Sequence, residues 1–266
     1  MAEAIKCTLC GCELSYTWCP MENAEVLLFL HGWGCDAKIF RYFTEKLAGQ
    51  YSLLAVDFPG HGNSGEPQTP WGVGEYACQI RELLDLLKLD RVNIVAHSFG
   101  GRVALMLASR CPERVHRLLI TGGAGLRAPT SEAKSRKQKQ YRRLKKAVGF
   151  LGKLPGLSRA AEVCGEKLIQ RYGSPDYAKL NPNMRKTFVK VINEDLSGCL
   201  PAVHCPTLLV WGDQDTETPL WMGQKMEHEI PDAALIVFEG RGHFAFAEEA
   251  QRFLLILKAF MEGDAE

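Results

Sequence analysis

Long apolar runs are missing from this chain, since no stretch approaches the roughly 18–20 residues that a helix needs to cross a bilayer. Residues Met1–Thr8 also lack the basic segment and apolar run that together mark a secretory signal peptide. These two absences predict a protein that is not stably inserted in a membrane and that is located in the cytoplasm.

An excess of charge of either sign is missing as well. Lys and Arg number 32 against 31 Asp and Glu, which leaves a formal net charge of +1. A chain of nearly zero net charge has no overall electrostatic attraction for nucleic acid, so we expect no nucleic-acid partner. At 266 residues, the chain is long enough for one large α/β domain with a substantial core.

Cysteine is plentiful, but its spacing lacks the second pair that a zinc finger requires. Among ten cysteines, Cys7 and Cys10 form a Cys-x-x-Cys, and no well-spaced Cys or His pair follows them. The segment instead predicts two strands, Lys6–Leu9 and Cys12–Trp18, around a turn at Gly11. We therefore expect reduced thiols, no metal and no cofactor.

Short apolar runs alternate with amphipathic segments along the first half of the chain. The runs are Val26–Leu30, Leu53–Val56, Val92–Ala96 and Leu118–Thr121. Such runs are typical of strands that are buried on both faces of a parallel sheet. The intervening segments Tyr76–Leu87 and Arg102–Arg110 carry apolar residues at helical spacing.

The alternation stops near Gly125, and no strand pattern occurs from Arg127 to Leu196. That stretch predicts the helices Tyr141–Val148, Ala160–Tyr172 and Met184–Asn193. Alternation then resumes with Thr207–Trp211, Leu220–Ile230, Ala234–Phe238 and Glu248–Met261. The pattern predicts one α/β core, 1–125 plus 198–266, built on a doubly wound, mostly parallel sheet, with a helical cap inserted at 126–197.

A serine lies among small residues directly after one predicted strand. The sequence there reads Ala96-His97-Ser98-Phe99-Gly100-Gly101 and opens the next helix. A tight strand-to-helix turn holds its central residue in a strained conformation and exposes the side chain, which requires small flanking residues. Ser98 is therefore a candidate nucleophile, and the N-terminus of the following helix favours a developing negative charge.

Two loops at other strand ends combine glycine with histidine. His31-Gly32-Trp33-Gly34 ends the run Val26–Leu30, and Asp57–Ser64 follows the run Leu53–Val56. We interpret His31 as a residue that fixes its own loop. We interpret Asp57–Ser64 as a tight loop at the border of a pocket, and we assign no chemistry to it.

The last third of the chain supplies a candidate base and two candidate acids. His243 lies on a glycine-flanked loop after the run Ala234–Phe238, from which its ring can reach Ser98. Asp213 and Asp215 follow the run Thr207–Trp211, and either carboxylate could accept the Nδ1–H of that histidine.

Together these motifs resemble the α/β-hydrolase fold family with a helical cap, over nearly the whole chain. The resemblance implies an eight-stranded sheet, Ser98 as nucleophile, His243 as base, and the backbone N–H groups of Trp33 and Phe99 as oxyanion donors. Alanine at Ala96 departs from the glycine that is more usual there, but it still fits the turn.

The same resemblance selects one of the two aspartates. In this family the acid lies three residues after the glycine at the strand end, and a proline follows four residues later. Gly212 and Pro219 therefore identify Asp215, rather than Asp213, as the residue that orients the base.

The resemblance implies a serine hydrolase that cleaves a small carboxylic ester through an acyl-enzyme. Haloalkane dehalogenases and epoxide hydrolases of the family carry aspartate as nucleophile, so Ser98 argues against both. Cofactor-free haloperoxidases also have a serine triad, and a non-catalytic ligand receptor can keep one, so these alternatives stay open. The sequence assigns neither substrate-binding residues nor an oligomeric state.

The predicted cap is strongly basic. From Arg127 to Arg159 the sequence has eleven basic residues against one acidic residue, Glu132. Charge runs usually face water. The alternative is an anionic partner: a substrate with a carboxylate or phosphate, an acidic carrier protein or a lipid surface.

Two narrower resemblances concern the substrate. His31-Gly32-Trp33-Gly34 with a basic cap is similar to carboxylesterases that cleave methyl esters of acyl-carrier-protein-bound substrates, although their residue before the nucleophile is typically Trp and here is His97. The run Ser98–Val103 is similar to cyclohexadiene carboxylate synthases of menaquinone synthesis and to C–C hydrolases. Both remain alternatives, because neither similarity extends to a diagnostic cap residue.

Overall fold

The computed structural model describes residues 3–127, 158–172 and 175–263, together with part of 140–150. The chain divides into two compact units, Met1–Leu126 with Lys190–Glu266, and Arg127–Val189. The expected insertion at 126–197 overlaps the second unit, and its role as a cap stays a prediction. Much of the basic segment 127–159 lies outside the described residues, as does part of the predicted helix Tyr141–Val148.

Within the described residues, eight strands form a single sheet. They are β1 (Ile5–Leu9), β2 (Cys12–Cys19), β3 (Val26–Leu30), β4 (Ser52–Asp57), β5 (Val92–His97), β6 (Val115–Thr121), β7 (Thr207–Gly212) and β8 (Ala233–Phe238). Their order is β1-β2-β4-β3-β5-β6-β7-β8. Only the β1–β2 and β2–β4 pairs are antiparallel. The predicted doubly wound, mostly parallel eight-stranded sheet is confirmed.

The central strands are apolar because both of their faces are covered. Every residue of β4, β5 and β7 is buried. Successive side chains point to opposite faces, so Leu28 and Ile94 belong to one core, while Leu27 and Val95 belong to another.

Helices form these two covers. The described helices are α1 (Arg41–Leu47), α2 (Val73–Leu86), α3 (Phe99–Arg110), α4 (Ser158–Tyr172), α5 (Pro175–Lys179), α6 (Pro182–Asn193), α7 (Trp221–Glu229), α8 (Ala245–Glu248) and α9 (Ala250–Glu262). Leu83 of α2 and Val103 of α3 belong to the core that contains Leu28. Phe43 of α1 and Phe253 of α9 belong to the opposite core.

The helix boundaries depart from the sequence prediction at two places. Helix α1 has no predicted counterpart, because its two turns bury only Phe43 and Leu47 and thus show too little periodicity. The predicted helix Glu248–Met261 corresponds to α9, which begins two residues later, whereas the short helix α8 before it has no predicted counterpart. Helices α8 and α9 are separated at Glu249, which has φ −120° and ψ 50° and so lies outside the helical region.

In the second unit, Arg185 of α6 joins three helices. Its guanidinium makes two parallel contacts with Glu166 of α4, at 2.8 and 3.1 Å, and it also donates to the carbonyl oxygens of Tyr177 and Ala178 of α5. Such a forked pairing fixes geometry as well as charge. No helix in the described part of the chain has the length and apolar character required to cross a bilayer.

Candidate active site

The candidate residues follow the carboxyl ends of neighbouring parallel strands. β5 pairs with β6, β6 with β7, and β7 with β8. Ser98 follows β5, Asp215 follows β7 and His243 follows β8. Because parallel strands end at the same edge of the sheet, residues distant in sequence converge there, which is where open α/β sheets bind ligands.

Ser98 lies at a strained turn between β5 and α3. Its backbone has φ 50° and ψ −109°, a conformation that residues other than glycine rarely adopt. Its N–H donates to Thr121 O at 3.1 Å, and its own carbonyl accepts the N–H groups of Gly101 and Ala124, each at 3.0 Å. These bonds hold the turn in place, so the strain persists in the folded protein.

The small residues around Ser98 have a direct steric cause. A Cβ atom on Gly100 would lie 2.1 Å from the carbonyl oxygen of Leu30, at the end of β3. Ala96 is completely buried between neighbouring strands. The turn therefore brings α3 into backbone contact with β3, which only glycine at position 100 permits.

His243 is paired with Asp215 in the interior. Its Nδ1–H donates to Asp215 Oδ2 at 2.8 Å, and the Asp215 side chain is fully shielded from solvent. Asp215 Oδ1 accepts the backbone N–H groups of Glu217 and Thr218, each at 2.9 Å. Burial alone would raise the pKa of Asp215, but the hydrogen bonds from His243 and Thr218 outweigh it and lower the pKa.

Asp213, the other aspartate of this segment, accepts a hydrogen bond from a different loop residue. Its Oδ1 accepts the backbone N–H of Gly240 at 2.7 Å, which braces the loop after β8. The structure thus puts Asp215 rather than Asp213 against His243. Since Nδ1 carries the proton that is donated to Asp215, Nε2 of the neutral ring has a free lone pair.

Thr218 is a member of this group that the sequence analysis did not identify. Its hydroxyl lies 2.8 Å from Asp215 Oδ2, 2.9 Å from Gly122 O and 3.2 Å from His243 Nδ1. A threonine before Pro219 has the sequence signature of an ordinary turn. Nothing in the spacing therefore indicates that it meets a residue 25 positions away.

His97 also contacts the pair, although the sequence analysis assigned it no role. Its ring centroid lies 4.7 Å from that of His243, and its Nδ1–H donates to Thr121 O at 3.0 Å. Burial, followed by the nearby His243, lowers the pKa of His97 to about 3. The ring is therefore neutral at physiological pH and acts as a buried packing group.

His31 fixes the loop that follows β3. The ring is completely buried; Nδ1–H donates to Gly32 O at 2.7 Å, and Nε2 accepts Phe58 N–H at 2.9 Å. Burial is the main cause that lowers the pKa of His31 to about 3. A Cβ on Gly32 would lie 3.3 Å from the Ser98 Cβ, so this loop runs directly beside the serine.

Trp33 and Phe99 belong to one aromatic cluster at this edge. Their ring centroids are 5.3 Å apart, and the Trp33 ring also lies 4.7 Å from that of His61. Phe99 in turn packs edge-on against Tyr76 at 5.0 Å. The cluster fixes the two backbones that carry the predicted oxyanion donors, and their role as donors stays a prediction.

Asp57 joins the loops after β3 and β4. Its Oδ1 accepts Ala37 N–H and its Oδ2 accepts Asn63 N–H, both at 2.9 Å. A Cβ on Gly62 would lie 2.3 Å from this carboxylate, so glycine is required there. The structure therefore gives Asp57 a bracing function, in keeping with its interpretation as a residue without chemistry.

Glu217 is an exposed carboxylate near the reactive nitrogen. Its Oε2 lies 3.6 Å from His243 Nε2, and its side chain is 64% exposed.

Among the described residues, the only group of three side chains with metal-ligand spacing is Cys10, Cys78 and Glu82, which lies outside this site.

Comparisons with known proteins agree with the mostly parallel eight-stranded sheet and its flanking helices. A family model described as the alpha/beta hydrolase fold matches residues 25–250. A pimeloyl-[acyl-carrier protein] methyl ester esterase from Neisseria meningitidis is 28% identical, covering 91% of this chain and 78% of its own length. A 2-hydroxy-6-oxononadienedioate/2-hydroxy-6-oxononatrienedioate hydrolase from a Pseudomonas species is 28% identical, covering 89% of this chain and 88% of its own length.

A solved structure is similar over a comparable extent. An N-acyl homoserine lactone degrading enzyme has a TM-score of 0.72 and 26% sequence identity, with 96% of this chain and 100% of that chain covered. The three named proteins act on different acyl or carbon skeletons. The similarity therefore supports the fold and a hydrolase, but it does not select one substrate.

Proposed function

The chain belongs to the alpha/beta hydrolase fold family and is a hydrolase, and we propose that it cleaves small carboxylic esters through an acyl-enzyme on Ser98. The observation that carries this proposal is the buried 2.8 Å hydrogen bond from His243 to Asp215. It fixes the ring tautomer that leaves Nε2 available as a base, at the same sheet edge as the strained turn of Ser98.

In the acylation step, Ser98 Oγ attacks the ester carbonyl while His243 Nε2 accepts its proton. Asp215 holds the ring and stabilises the imidazolium that forms. The backbone N–H groups of Trp33 and Phe99 donate to the oxyanion of the tetrahedral intermediate. His243 then returns the proton to the leaving alcohol, and the acyl group stays on Ser98.

Deacylation repeats the sequence with water in place of the serine. His243 Nε2 takes a proton from the water, whose oxygen attacks the acyl-enzyme carbonyl. Collapse of the second tetrahedral intermediate releases the carboxylic acid and returns the proton to Ser98. The water, the acyl group and these side chains account for every atom transferred.

A fluorophosphonate probe tests the nucleophile. We expect the probe to label the native protein on Ser98, and Ser98→Ala to abolish both labelling and turnover of p-nitrophenyl esters. Ser109→Ala is the matched control, because Ser109 lies in α3 and only donates to Met106 O at 3.1 Å. Labelling that survives in Ser98→Ala would contradict the proposal.

Steady-state turnover separates the enzyme from a receptor built on the same fold. An enzyme releases many equivalents of alcohol per chain, whereas a receptor with an intact triad releases one equivalent or less. We expect repeated turnover on a panel of short p-nitrophenyl esters. A single burst without further product would favour the receptor.

A second candidate is a hydrolase of acyl-carrier-protein-linked methyl esters or of C–C bonds in anionic substrates. Two observations favour it: the 28% identity to one relative named for each activity, and the basic stretch Arg127–Arg159. Rates on a carrier-protein-linked methyl ester, a dienedioate and a neutral short ester distinguish the classes. A kcat/KM more than about 100-fold higher for one substrate class than for the others, roughly 2.7 kcal/mol, would identify that class as the substrate.

Residues 126–197 form the cap in this proposal, and the compartment is the cytoplasm. All ten cysteines are unpaired, which fits a reducing compartment. Cell fractionation tests the location. Exchange of 126–197 for the corresponding segment of a relative tests the cap, since substrate preference should follow the exchanged segment.

A further inference from the structure

A second chemically distinctive group lies at the β1 edge of the sheet, far in strand order from β7 and β8. It combines Cys10, in the turn between β1 and β2, with Cys78 and Glu82 of α2. One possible ligand atom from each residue lies within 4.8 Å of the other two. The sequence spacing pairs Cys10 only with Cys7, because Cys10 and Cys78 are 68 positions apart.

The two helical members have the spacing of a metal-binding pair. Cys78 and Glu82 are four residues apart, so their side chains leave α2 on the same face, one turn from each other. Two thiols and a carboxylate are ligands that Zn²⁺ accepts, whereas Ca²⁺ and Mg²⁺ require oxygen alone. The donor set therefore selects thiophilic divalent cations.

The turn that carries Cys10 is held against α2 by hydrogen bonds that do not involve the two thiols. The buried amide of Gln79 donates to Leu9 O at 3.1 Å and to Cys12 O at 3.3 Å, on both sides of the turn. The Cys10 N–H donates to Glu82 Oε2 at 2.8 Å. This bond orients the carboxylate, as supporting hydrogen bonds do for ligands in metal sites.

The residue type at Cys10 is unusual for its backbone. Cys10 and Gly11 have φ values of 50° and 72° and form a two-residue hairpin loop between the paired residues Leu9 and Cys12. Such loops favour Asn-Gly, because asparagine tolerates the left-handed region and cysteine does so less readily. A thiol therefore occupies a position where local folding favours another residue.

We propose that Cys10, Cys78 and Glu82 bind one thiophilic divalent cation of the Zn²⁺ class, with water as the fourth ligand. Two thiolates on a tetrahedral zinc ion have their sulfur atoms about 3.8 Å apart. The ligand atoms of this group lie within 4.8 Å of one another, so side-chain movements of about 1 Å bring them to the distances that zinc requires. The cation links the β1–β2 hairpin to α2. The ester hydrolysis proposed above does not depend on it.

Co²⁺ and Zn²⁺ titrations of the reduced, chelator-treated protein test the site. We expect one Co²⁺ per chain with a thiolate-to-metal charge-transfer band that Zn²⁺ bleaches, and a rise in Tm with Zn²⁺ concentration. Cys10→Asn should lower the band at saturating Co²⁺ by about half, because one of two thiolates is lost, and should weaken Zn²⁺ binding by at least 10-fold. It should keep the native far-UV circular dichroism, because asparagine suits this turn.

Two further variants complete the test. Glu82→Gln keeps the size of the side chain and removes the charged ligand, so it should weaken Zn²⁺ binding without abolishing the charge-transfer band. Cys164→Ala, at an exposed helical cysteine outside the cluster, should bind as the native protein does. Unchanged Zn²⁺ affinity and band in Cys10→Asn, or a Cys10–Cys78 disulfide that persists in reducing buffer, would overturn the proposal.

Discussion

The hydroxyl of Thr218 lies 2.8 Å from Oδ2 of Asp215, the same carboxylate oxygen that accepts the Nδ1–H of His243. Thr218 and Asp215 are each 95% buried. The hydroxyl has a single proton, so it donates either to Asp215 or to Gly122 O at 2.9 Å. Thr218 thus joins the carboxylate to the backbone at the end of β6 and acts on the reaction by positioning Asp215.

Removal of this hydroxyl should lower kcat more than it changes KM. We expect Thr218→Val, which keeps the branched shape, to reduce kcat by about 10-fold, or about 1.4 kcal/mol, because a buried oxygen of Asp215 loses a donor. Thr218→Ser should restore most of kcat. A valine variant with native kcat, or a serine variant as impaired as valine, would contradict a positioning role.

Asp215 and Asp213 provide a matched pair for the choice of acid. Asp215→Asn should reduce kcat by a factor on the order of 10⁴, because an amide can stabilise the wrong tautomer of His243. Asp213→Asn removes a carboxylate that only braces Gly240, so kcat should change by less than about 10-fold. Steady-state kinetics on one p-nitrophenyl ester measures both. Similar losses of kcat in the two variants would contradict the assignment of Asp215, rather than Asp213, as the acid.

The parts of this site that the sequence predicts are those with local signals. The nucleophile turn is visible because Ala96, Ser98 and Gly100 lie within five residues, and backbone contact with β3 restricts what can flank the serine. The strands are visible because burial on both faces makes them continuously apolar. Local steric limits and burial restrict the residue types at neighbouring positions, so they can be predicted from the sequence.

The parts that the sequence misses depend on contacts between distant segments. Thr218 meets Gly122 across 96 positions, and His97 meets His243 across the sheet edge. Each looks ordinary in its own segment: a threonine before a proline, and a histidine between a buried strand and the serine. The group of Cys10, Cys78 and Glu82 has no local signal for the same reason, since its members lie in segments 68 positions apart.

Gly100 and Gly198 test the steric account of the nucleophile turn. A Cβ on Gly100 would lie 2.1 Å from Leu30 O, whereas a Cβ on Gly198 would meet nothing within 4 Å. Overpacking typically costs about 1–3 kcal/mol, and the clash with backbone puts Gly100→Ala at the upper end or beyond. Urea unfolding should show this loss for Gly100→Ala and almost none for Gly198→Ala. Equal stability of the two variants would refute the close approach.

Two buried neutral histidines should make the fold sensitive to acid. Burial lowers the pKa of His31 and of His97 to about 3, from the ordinary value of 6.5. Below pH 6.5 the unfolded chain binds protons that the folded chain does not, so the free energy of unfolding falls from there toward pH 3. Above pH 6.5 this contribution is fully present.

The expected slope is about 1.4 kcal/mol per pH unit for each histidine. His97→Asn should therefore reduce the slope of the free energy of unfolding against pH by the contribution of one proton, between about pH 6 and pH 4. Urea unfolding at several pH values measures this slope. His204→Gln is the control, because His204 is exposed. Carboxylates titrate in the same range, but they contribute equally to the native protein and to both variants. An unchanged slope in His97→Asn would show that the folded protein protonates this ring.

The basic stretch 127–159 gives the last prediction, which concerns substrate charge. Replacement of Arg142, Arg143, Lys145 and Lys146 by Glu changes the local charge by eight units, so it should weaken turnover of anionic substrates and spare neutral short esters. Higher salt should reduce the difference, because ions screen exposed charges within about 8–10 Å. The measurement is kcat/KM for a carboxylate-bearing ester and a neutral ester of the same acyl length. Equal losses on both would mean that the segment affects folding or access, and that its charge does not recognise the substrate.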